Sequence, residues 1–112
     1  MKVTLPWPPK ELSPNYRGHW KAVYRRSKEY KEDCWILCKR AKLTKPESDR
    51  VLVHMKFYPP TNHRRDQDNM VASMKYGLDG LAAALGVDDS LFDISIEVAE
   101  ELGGKVEITI AG

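Results

Sequence analysis

Residues 51 to 58, VLVHMKFY, carry apolar side chains at positions 51, 53, 55 and 57, with more polar neighbours between most of them. A period of two is typical of a strand that buries one face in a core. The pair Pro59-Pro60 follows at once, and proline cannot donate a backbone hydrogen bond to a sheet. The stretch therefore predicts a half-buried strand that ends at residue 58.

Two longer segments, one on each side of this strand, have the three- and four-residue spacing of amphipathic helices. The first is expected from about His19 to Lys42, ending before Pro46. The second is expected over about 68 to 85, with Gly86 just past its end. The apolar positions are Val23, Tyr30, Cys34, Leu37, Cys38 and Ala41 in the first, and Met70, Met74, Leu78, Leu81 and Leu85 in the second.

Further strands are indicated at both ends of the chain. Lys2 to Leu5 suggests a short first strand before a proline-rich run. Alternating apolar residues at 94 to 98 and at 106 to 110 flank Leu102-Gly103-Gly104, which predicts an antiparallel hairpin. The expected fold is α+β, in the order β-α-β-α-β-β, with two helices packed on a mixed four-stranded sheet in a single domain over 1–112.

The composition is that of an ordinary globular domain. The chain has 112 residues, of which 42% are hydrophobic and 30% charged, so wholesale disorder is excluded. A domain of this size buries a modest core, and a partner subunit can supply further stability. No apolar stretch is long enough for a membrane span and no signal-peptide pattern is present, so we expect a cytoplasmic protein with no membrane partner.

Charge is distributed unevenly although the net charge is only +2. Residues 17 to 42 are rich in lysine and arginine, whereas residues 86 to 101 are acidic. A basic helix near an acidic pocket suits an enzyme that acts on a polyanion, but charged helix faces are more often only solvated. Cys34 and Cys38 lie one helical turn apart, which is poor geometry for a disulfide, and they are predicted to be small core residues.

The segment from 63 to 69, HRRDQDN, is the most informative for function. In an extended segment Asp66 and Asp68 face the same way, whereas in a regular helix they diverge, so the motif is expected at a loop-to-helix junction. Two adjacent carboxylates repel each other, and a hard divalent cation such as Mg²⁺ or Mn²⁺ relieves that repulsion.

A second acidic pair, Asp88-Asp89, lies between the second helix and the next predicted strand. If the two loops meet, three carboxylates surround one metal ion, which is a common phosphodiesterase arrangement. The alternative is structural: Asp66 and Asp68 begin a helix, and the second pair forms a turn.

Basic residues beside the first motif fit either reading. Arg64 and Arg65 suit the binding of substrate phosphates and equally suit surface ion pairs. On a continuous helix Lys75 shares a face with Asp68 two turns away, so it is a hypothetical catalytic cation, a solvated lysine or an intersubunit ion-pair partner.

Several motifs together resemble the RusA family of crossover junction endodeoxyribonucleases, which resolve four-way DNA (Holliday) junctions. They are Leu5-Pro6-Trp7-Pro8-Pro9, Asn15-Tyr16-Arg17, Arg65-Asp66-Gln67-Asp68-Asn69, Leu78-Asp79-Gly80-Leu81 and Asp88-Asp89-Ser90. The resemblance spans nearly the whole chain, although residues 20 to 60 match only in length and pattern.

The resemblance implies a Mg²⁺-dependent enzyme that makes paired nicks in junction strands during recombination and repair, as a homodimer. By motif, the metal-associated aspartates are Asp66, Asp68 and Asp89, with Asp88 as an additional ligand. The family has a functional lysine four residues after the second motif aspartate, where this chain has Ala72, and Lys75 is the expected replacement. The residues expected to contact DNA are Asn15, Tyr16, Arg17, Lys21, Arg25, Arg64 and Arg65.

A homodimer also has a physical rationale, because a four-way junction presents two equivalent scissile positions to a two-fold enzyme. Trp7, Tyr16 and Trp20 are placed either to stack on unpaired bases or to pack in the core. Three other functions fit the same residues: a non-catalytic protein that binds branched DNA, a metal-dependent nuclease of broader substrate range, and a dimeric protein that binds an acidic partner.

Overall fold

The structure is a computed structural model that describes all 112 residues. Four strands, three α-helices and two short 3-10 turns follow one another along the chain. The strands are β1 (Lys2–Pro6), β2 (Val51–Tyr58), β3 (Phe92–Val98) and β4 (Lys105–Ala111), the helices are α1 (Trp20–Arg40), α2 (Gln67–Ser73) and α3 (Lys75–Leu85), and the turns are Lys10–Leu12 and Asp89–Leu91.

The strands form one mixed sheet in the order β1-β4-β2-β3. β4 is antiparallel to both of its neighbours, whereas β2 and β3 are parallel. α2 and α3 make the crossover between the two parallel strands. The expected α+β class and mixed four-stranded sheet are confirmed.

The predicted hairpin between the last two strands is wrong, because β4 does not pair with β3. β4 lies instead between β1 and β2, so the loop from 99 to 104 crosses the end of β2. Its backbone bonds to that end, with Ala99 N donating to Phe57 O at 2.9 Å and Gly103 N to Pro59 O at 2.9 Å. A central position suits the burial of this strand, since Val106, Ile108 and Ile110 are at most 2% exposed, whereas Ile94 on edge strand β3 is 45% exposed.

One face of the sheet carries the core. The predicted alternation in β2 is confirmed, since its residues 51, 53, 55 and 57 are all fully buried. Helices α1 and α3 pack on this side, and their buried side chains join the strands in a cluster of 22 residues. The opposite face is polar and solvated, as shown by the ion pair between Arg50 and Asp93 at 2.7 Å.

The first predicted helix, about 19 to 42, is confirmed as α1 within two residues at each end. His19 caps it, because its Nδ1 accepts a hydrogen bond from the backbone of Lys21 at 3.1 Å. No helix in the structure is both long enough and apolar enough to cross a membrane.

The second predicted helix, 68 to 85, is wrong as a single element, because it is broken at Met74 into α2 and α3. Ser73 donates its hydroxyl to Asn69 O at 2.7 Å, a side-chain bond that bends helices. The backbone of Met74 then bonds to Val71 O, three residues back. Gly86 ends α3 in the left-handed conformation at φ 71, as predicted.

Close contact between α1 and α3 depends on Gly80. A Cβ atom placed there would lie 2.6 Å from the backbone oxygen of Lys31 and 3.1 Å from the Trp35 backbone nitrogen. Backbone cannot move aside as the end of a side chain can, so only glycine permits this helix spacing.

Gly80→Ala is therefore expected to lower the free energy of unfolding by about 1 to 3 kcal/mol, although alanine is about 1 kcal/mol the better helix former. Urea unfolding followed by circular dichroism measures the change. The matched control is Ala83→Gly on the exposed face of the same helix, which is expected to lose only about 1 kcal/mol of propensity. A Gly80→Ala protein more stable than the parent would contradict the close contact.

The prediction that both cysteines are small core residues is confirmed, since Cys34 and Cys38 are free and fully buried. Burial disfavours the thiolate and raises the pKa of Cys34 to about 12 and the pKa of Cys38 to about 11. Their ordinary value is 9.0, so the folded protein holds these two protons at a pH where the unfolded chain releases them.

The stability contributed by the neutral thiols is fully present below about pH 9 and is expected to fall as pH rises toward 11 to 12. Within that window each thiol releases about one proton on unfolding. The free energy of unfolding therefore falls by up to about 1.4 kcal/mol per pH unit for each thiol. Urea unfolding at several pH values above 9.0, the ordinary thiol pKa, measures the slope. Cys38→Ala is expected to remove one of the two thiol contributions to the slope, and a slope unchanged in that variant would contradict thiol linkage.

Candidate functional site

A cleft of about 310 Å³ lies between two segments that are far apart in sequence. One wall is the proline-rich loop after β1, from Trp7 to Asn15, and the other is the segment from Arg64 to Ser73. Two of the sequence motifs that predict function therefore meet in one place, and we call this place the cleft throughout.

Trp7 anchors the first wall. Its ring makes an edge contact with Phe57 at a centroid distance of 5.8 Å, and its backbone nitrogen donates to Gly104 O at 3.2 Å. These contacts fix the loop to the end of the sheet where β2 finishes. Trp7 is thus a packing residue rather than a free stacking platform.

Arg65 holds the second wall in shape. Its Nη1 donates to Thr61 O at 2.8 Å and to His63 O at 3.0 Å, and its Nη2 donates to Thr61 Oγ1 at 2.6 Å. The guanidinium also lies over the Trp7 ring, 5.6 Å from its centroid. Most of its donors are committed to the loop from 61 to 65, so Arg65 orders the cleft more than it offers charge to a ligand.

Lys10 and Arg64 supply the unpaired charge of the cleft. Both are exposed, both line the cleft, and neither forms an ion pair. Arg64 was predicted, whereas Lys10 was missed because it belongs to no motif and only the fold brings it here. Two free cations above a cleft are suited to binding phosphate.

The hydrogen bonds of the Arg65 guanidinium predict that replacing Arg65 lowers the free energy of unfolding more than replacing Arg64 does. Arg65→Lys is expected to lower the free energy of unfolding by about 1 to 2 kcal/mol, because lysine cannot make the same divergent bonds. Arg64→Lys, the matched control, is expected to change it by less than about 0.5 kcal/mol. Urea unfolding of both variants measures this, and equal losses would contradict the assigned role of Arg65.

The first acidic motif lies at a loop-to-helix junction, as predicted. Asp66 has extended backbone angles, φ −83 and ψ 127, and α2 begins at the next residue. Its Oδ1 accepts from the backbone nitrogen of Asp68 at 2.8 Å, so it caps the helix. Asp68 is exposed in the first turn, and one oxygen of Asp66 is left for other partners.

The second acidic pair has the same local design. Asp88 caps the short turn Asp89–Leu91, with its Oδ1 accepting from the backbone nitrogen of Ser90 at 2.9 Å. This backbone hydrogen bond stabilises the carboxylate and lowers the pKa of Asp88. Asp89 is exposed in the turn directly before β3.

The two acidic motifs do not converge within one chain. The first lies beside Trp7 and Phe57, at the carboxyl end of β2, whereas the second precedes Phe92, which pairs with Val51 at the amino end of β2. Six residues of strand separate these ends, which is roughly 20 Å. Accordingly, no group of three or more His, Cys, Asp or Glu side chains is placed to hold a metal ion.

The fit of a divalent metal is therefore partial. Exposed carboxylate oxygens are the donors that Mg²⁺ and Mn²⁺ prefer, and Asp66 and Asp68 provide them next to the cleft. The third carboxylate implied by the sequence, Asp89, is on the far side of the same chain.

The premise that Lys75 lies on a continuous helix with Asp68 is corrected by the break at Met74. Lys75 begins α3, is exposed, and holds its Nζ 5.5 Å from the ring centroid of Tyr76. It does not line the cleft.

The predicted DNA-contacting residues lie around the start of α1. Asn15 lines the cleft, and Arg17, Lys21 and Arg25 are exposed, with Arg25 3.8 Å from Glu29. Tyr16 is half-buried.

Two aromatic side chains on this part of α1 are open to solvent. Trp20 is 66% exposed and Tyr24 is 56% exposed, and each has a lysine ammonium near its ring. Trp20 was predicted as a possible stacking residue, whereas Tyr24 was missed because apolar spacing alone does not reveal which face is left bare.

No established family profile matches the chain. A protein of Xylella fastidiosa (strain Temecula1 / ATCC 700964), described as an uncharacterized protein, is 40% identical over 115 residues. The alignment covers 98% of this chain and 75% of that protein. The similarity thus extends through the cleft and both acidic motifs.

Proposed function

This chain belongs to the same family as the Xylella fastidiosa protein, and we propose that it is a metal-dependent DNA endonuclease of the RusA type that resolves Holliday junctions. The proposed reaction is phosphodiester hydrolysis at two symmetric positions of a four-way junction, in recombination and repair. The proposed enzyme is a cytoplasmic homodimer.

The observation that carries this proposal is the cleft. It brings the Trp7-Pro8-Pro9 loop and Asn15 against Arg64, Asp66 and Asn69. Free cations and a carboxylate at the start of a helix are thereby placed side by side, which is what binding a phosphodiester next to a metal ion requires.

The proposed metal ligands are Asp66 and Asp68. Asp89 and Asp88, the further oxygen donors that the motifs imply, lie at the other end of β2 in the same chain, so only a second protomer of the proposed homodimer could bring them to this site. At carboxylates of this kind Mg²⁺ or Mn²⁺ would supply the activation of water and the stabilisation of charge on the phosphate that the hydrolysis needs. Lys10 and Arg64 hold phosphate oxygens at the cleft, and Arg65 keeps the 61–65 loop in the shape that positions them. Lys75 is retained as a proposed cation for the developing charge, and unchanged cleavage by Lys75→Ala would remove that role.

The proposed DNA surface continues from the cleft onto the start of α1. Asn15, Tyr16, Arg17, Lys21 and Arg25 follow one another along this path. The exposed rings of Trp20 and Tyr24 are suited to stacking on unpaired bases, which a branch point supplies and a linear duplex does not.

Cleavage of a synthetic immobile four-way junction tests the proposal. The wild-type chain with Mg²⁺ is expected to give symmetric nicks in the junction and none in linear duplex of the same sequence. Asp68→Asn is expected to lower the rate by at least about a hundredfold while keeping junction binding, because it removes a charged oxygen donor and little volume. EDTA is expected to abolish nicking.

Asp49→Asn is the matched control, since Asp49 is also exposed, forms no ion pair, belongs to neither acidic motif and precedes β2 at the opposite end of that strand from Asp68. It is expected to cut as the wild type does. Cleavage of flaps or linear duplex at the junction rate would favour a nuclease of broader range.

A second function, non-catalytic binding of branched DNA, is favoured by one observation. Asp66 and Asp88 each cap a helical turn, and no three-carboxylate group exists within one chain. Junction binding without cleavage in Mg²⁺ or Mn²⁺ would replace the nuclease proposal with this one.

A further inference from the structure

One side of α1 carries exposed aromatic and lysine side chains at intervals of three or four residues. They are Trp20, Tyr24, Lys28, Lys31 and Trp35, and all five are exposed. A helix turns by about 100° per residue, so these positions lie within roughly 80° of one another around the axis. They therefore form one continuous surface, which we call the aromatic-lysine stripe.

The charge of the stripe is positive. Lys28 and Lys31 form no ion pair, and Lys28 holds its Nζ 4.6 Å from the ring centroid of Tyr24. Glu29 lies on another side of the helix, and its ion pairs engage arginines outside the stripe. The two free lysines are therefore available to a polyanion.

The three rings of the stripe are open to solvent. Trp20 is 66% exposed, Tyr24 is 56% exposed and Trp35 is 41% exposed. Tryptophan and tyrosine rings gain stability when their apolar faces are covered, and within the chain nothing covers these three fully. A ligand that covers the rings and the lysines together combines flat apolar groups with negative charge.

The stripe ends in a groove of about 260 Å³ between α1 and α3. The groove lies beside the close helix contact at Gly80, because that contact involves the backbone of Lys31 and Trp35. Its lining consists of Lys28, Lys31, Glu32, Trp35 and Ala83. Since Ala83 has only a methyl group, there is room for a flat ring to lie against the Trp35 side chain.

We propose that the aromatic-lysine stripe is a binding site for single-stranded DNA. Unpaired bases stack on its rings, phosphates contact Lys28 and Lys31, and one base enters the groove beside Trp35. At 1.5 Å per residue the stripe runs roughly 22 Å from Trp20 to Trp35, which accommodates several nucleotides. No residue of the stripe lines the cleft. The choice of DNA rests on the proposed function, whereas the stacking site itself needs neither metal nor cleavage.

The order of the side chains favours a single strand over a duplex and over an acidic peptide. A duplex keeps its bases stacked inside, so it offers no free base to an exposed ring. An amphipathic peptide helix binds in a continuous apolar groove. Here Lys28 and Lys31 separate Tyr24 from Trp35. Rings that alternate with cations match a strand in which bases alternate with phosphates.

Binding of a fluorescent oligothymidylate of about 12 nucleotides, measured by anisotropy in EDTA, tests the stacking. Trp35→Ala is expected to weaken binding by about tenfold or more, because it removes the ring under one base. Trp35→Phe is expected to retain most of the affinity, because it keeps a ring. Circular dichroism checks that each variant is folded. Wild-type affinity in Trp35→Ala, or no binding by the wild type, would overturn the proposal.

A pair of exposed lysines tests the phosphate contacts without disturbing the core. The logarithm of affinity for a single strand falls with the logarithm of salt concentration, with a slope of about 0.7 per phosphate contacted. Lys28→Gln combined with Lys31→Gln is therefore expected to reduce that slope by about 1.4.

The matched control is Lys2→Gln combined with Lys45→Gln. It removes the same charge from exposed positions outside α1 that form no ion pair. The slope of this control is expected to equal that of the wild type. Equal reductions in the two double variants would indicate only a diffuse effect of surface charge and would rule out phosphate contacts at the stripe.

Competition separates a single strand from the other polyanions. Unlabelled oligothymidylate is expected to displace the probe at least about tenfold more effectively than polyglutamate or a duplex at the same concentration of negative charge, because neither offers free bases. Equal displacement by polyglutamate would assign the stripe to an acidic protein partner instead. Equal displacement by the duplex would overturn stacking on unpaired bases.

Junction nicking distinguishes a failure of this inference from a failure of the proposed function. A wild-type chain that nicks junctions and binds no single strand in EDTA would refute the stripe and leave the nuclease proposal standing. A chain that binds single strands through Trp35 and never nicks would refute the nuclease and support the stripe.

Discussion

The close contact of α1 with α3 at Gly80 sets the arrangement of the helix layer. With a Cβ position only 2.6 Å from the Lys31 oxygen, the helices pack almost backbone to backbone. This spacing lets the two helices bury β1, β4 and β2 completely on one face. It also leaves too narrow a layer to cover β3, whose Ile94 stays 45% exposed. One close helix contact therefore accounts for both the buried core and the exposed side of edge strand β3.

Local periodicity predicts the strands and most of the buried residues. β2 and β4 alternate strictly, and Tyr30, Cys34 and Cys38 of α1 are buried as predicted, because both patterns depend only on the period of each element. Ala41, the last predicted apolar position, is instead exposed just past the end of the helix. Pairing between strands is not local. The predicted hairpin between β3 and β4 is wrong because β4 pairs with β1 on one side and with β2 on the other. A glycine turn between two alternating segments does not reveal which strands become neighbours.

The apolar spacing of residues 70 to 85 also does not predict the helix break at Met74. Neither Ser73 nor Met74 is a helix breaker, and the apolar spacing continues across them. The bend coincides with the local side-chain hydrogen bond from Ser73 to Asn69 O and with the burial of Met74. The apolar spacing reveals neither, and the burial of Met74 exists only once the helices are packed.

The sequence predicts where each acidic motif lies locally but not how far apart the two motifs are in the fold. The loop-to-helix position of Asp66 and Asp68 followed from the geometry of a two-residue spacing. Convergence with Asp89 did not follow, because it depends on whether β2 and β3 are parallel. When two strands are parallel, the loop after the first and the loop before the second lie at opposite ends of the strands. Within one chain, Asp66 and Asp68 are therefore separated from Asp89, although the motifs suggest a single site.

The position of β4 also bears on how this chain is made. β4 is the last strand in sequence, yet it is the only link between β1 and the rest of the sheet, with Lys2 paired to Thr109. During synthesis, β1 and β2 have no strand between them until β4 has been made and is free to pair. The sheet is therefore completed only by pairing between residues that are far apart in sequence, and such long-range contacts make folding slower than local helix contacts do.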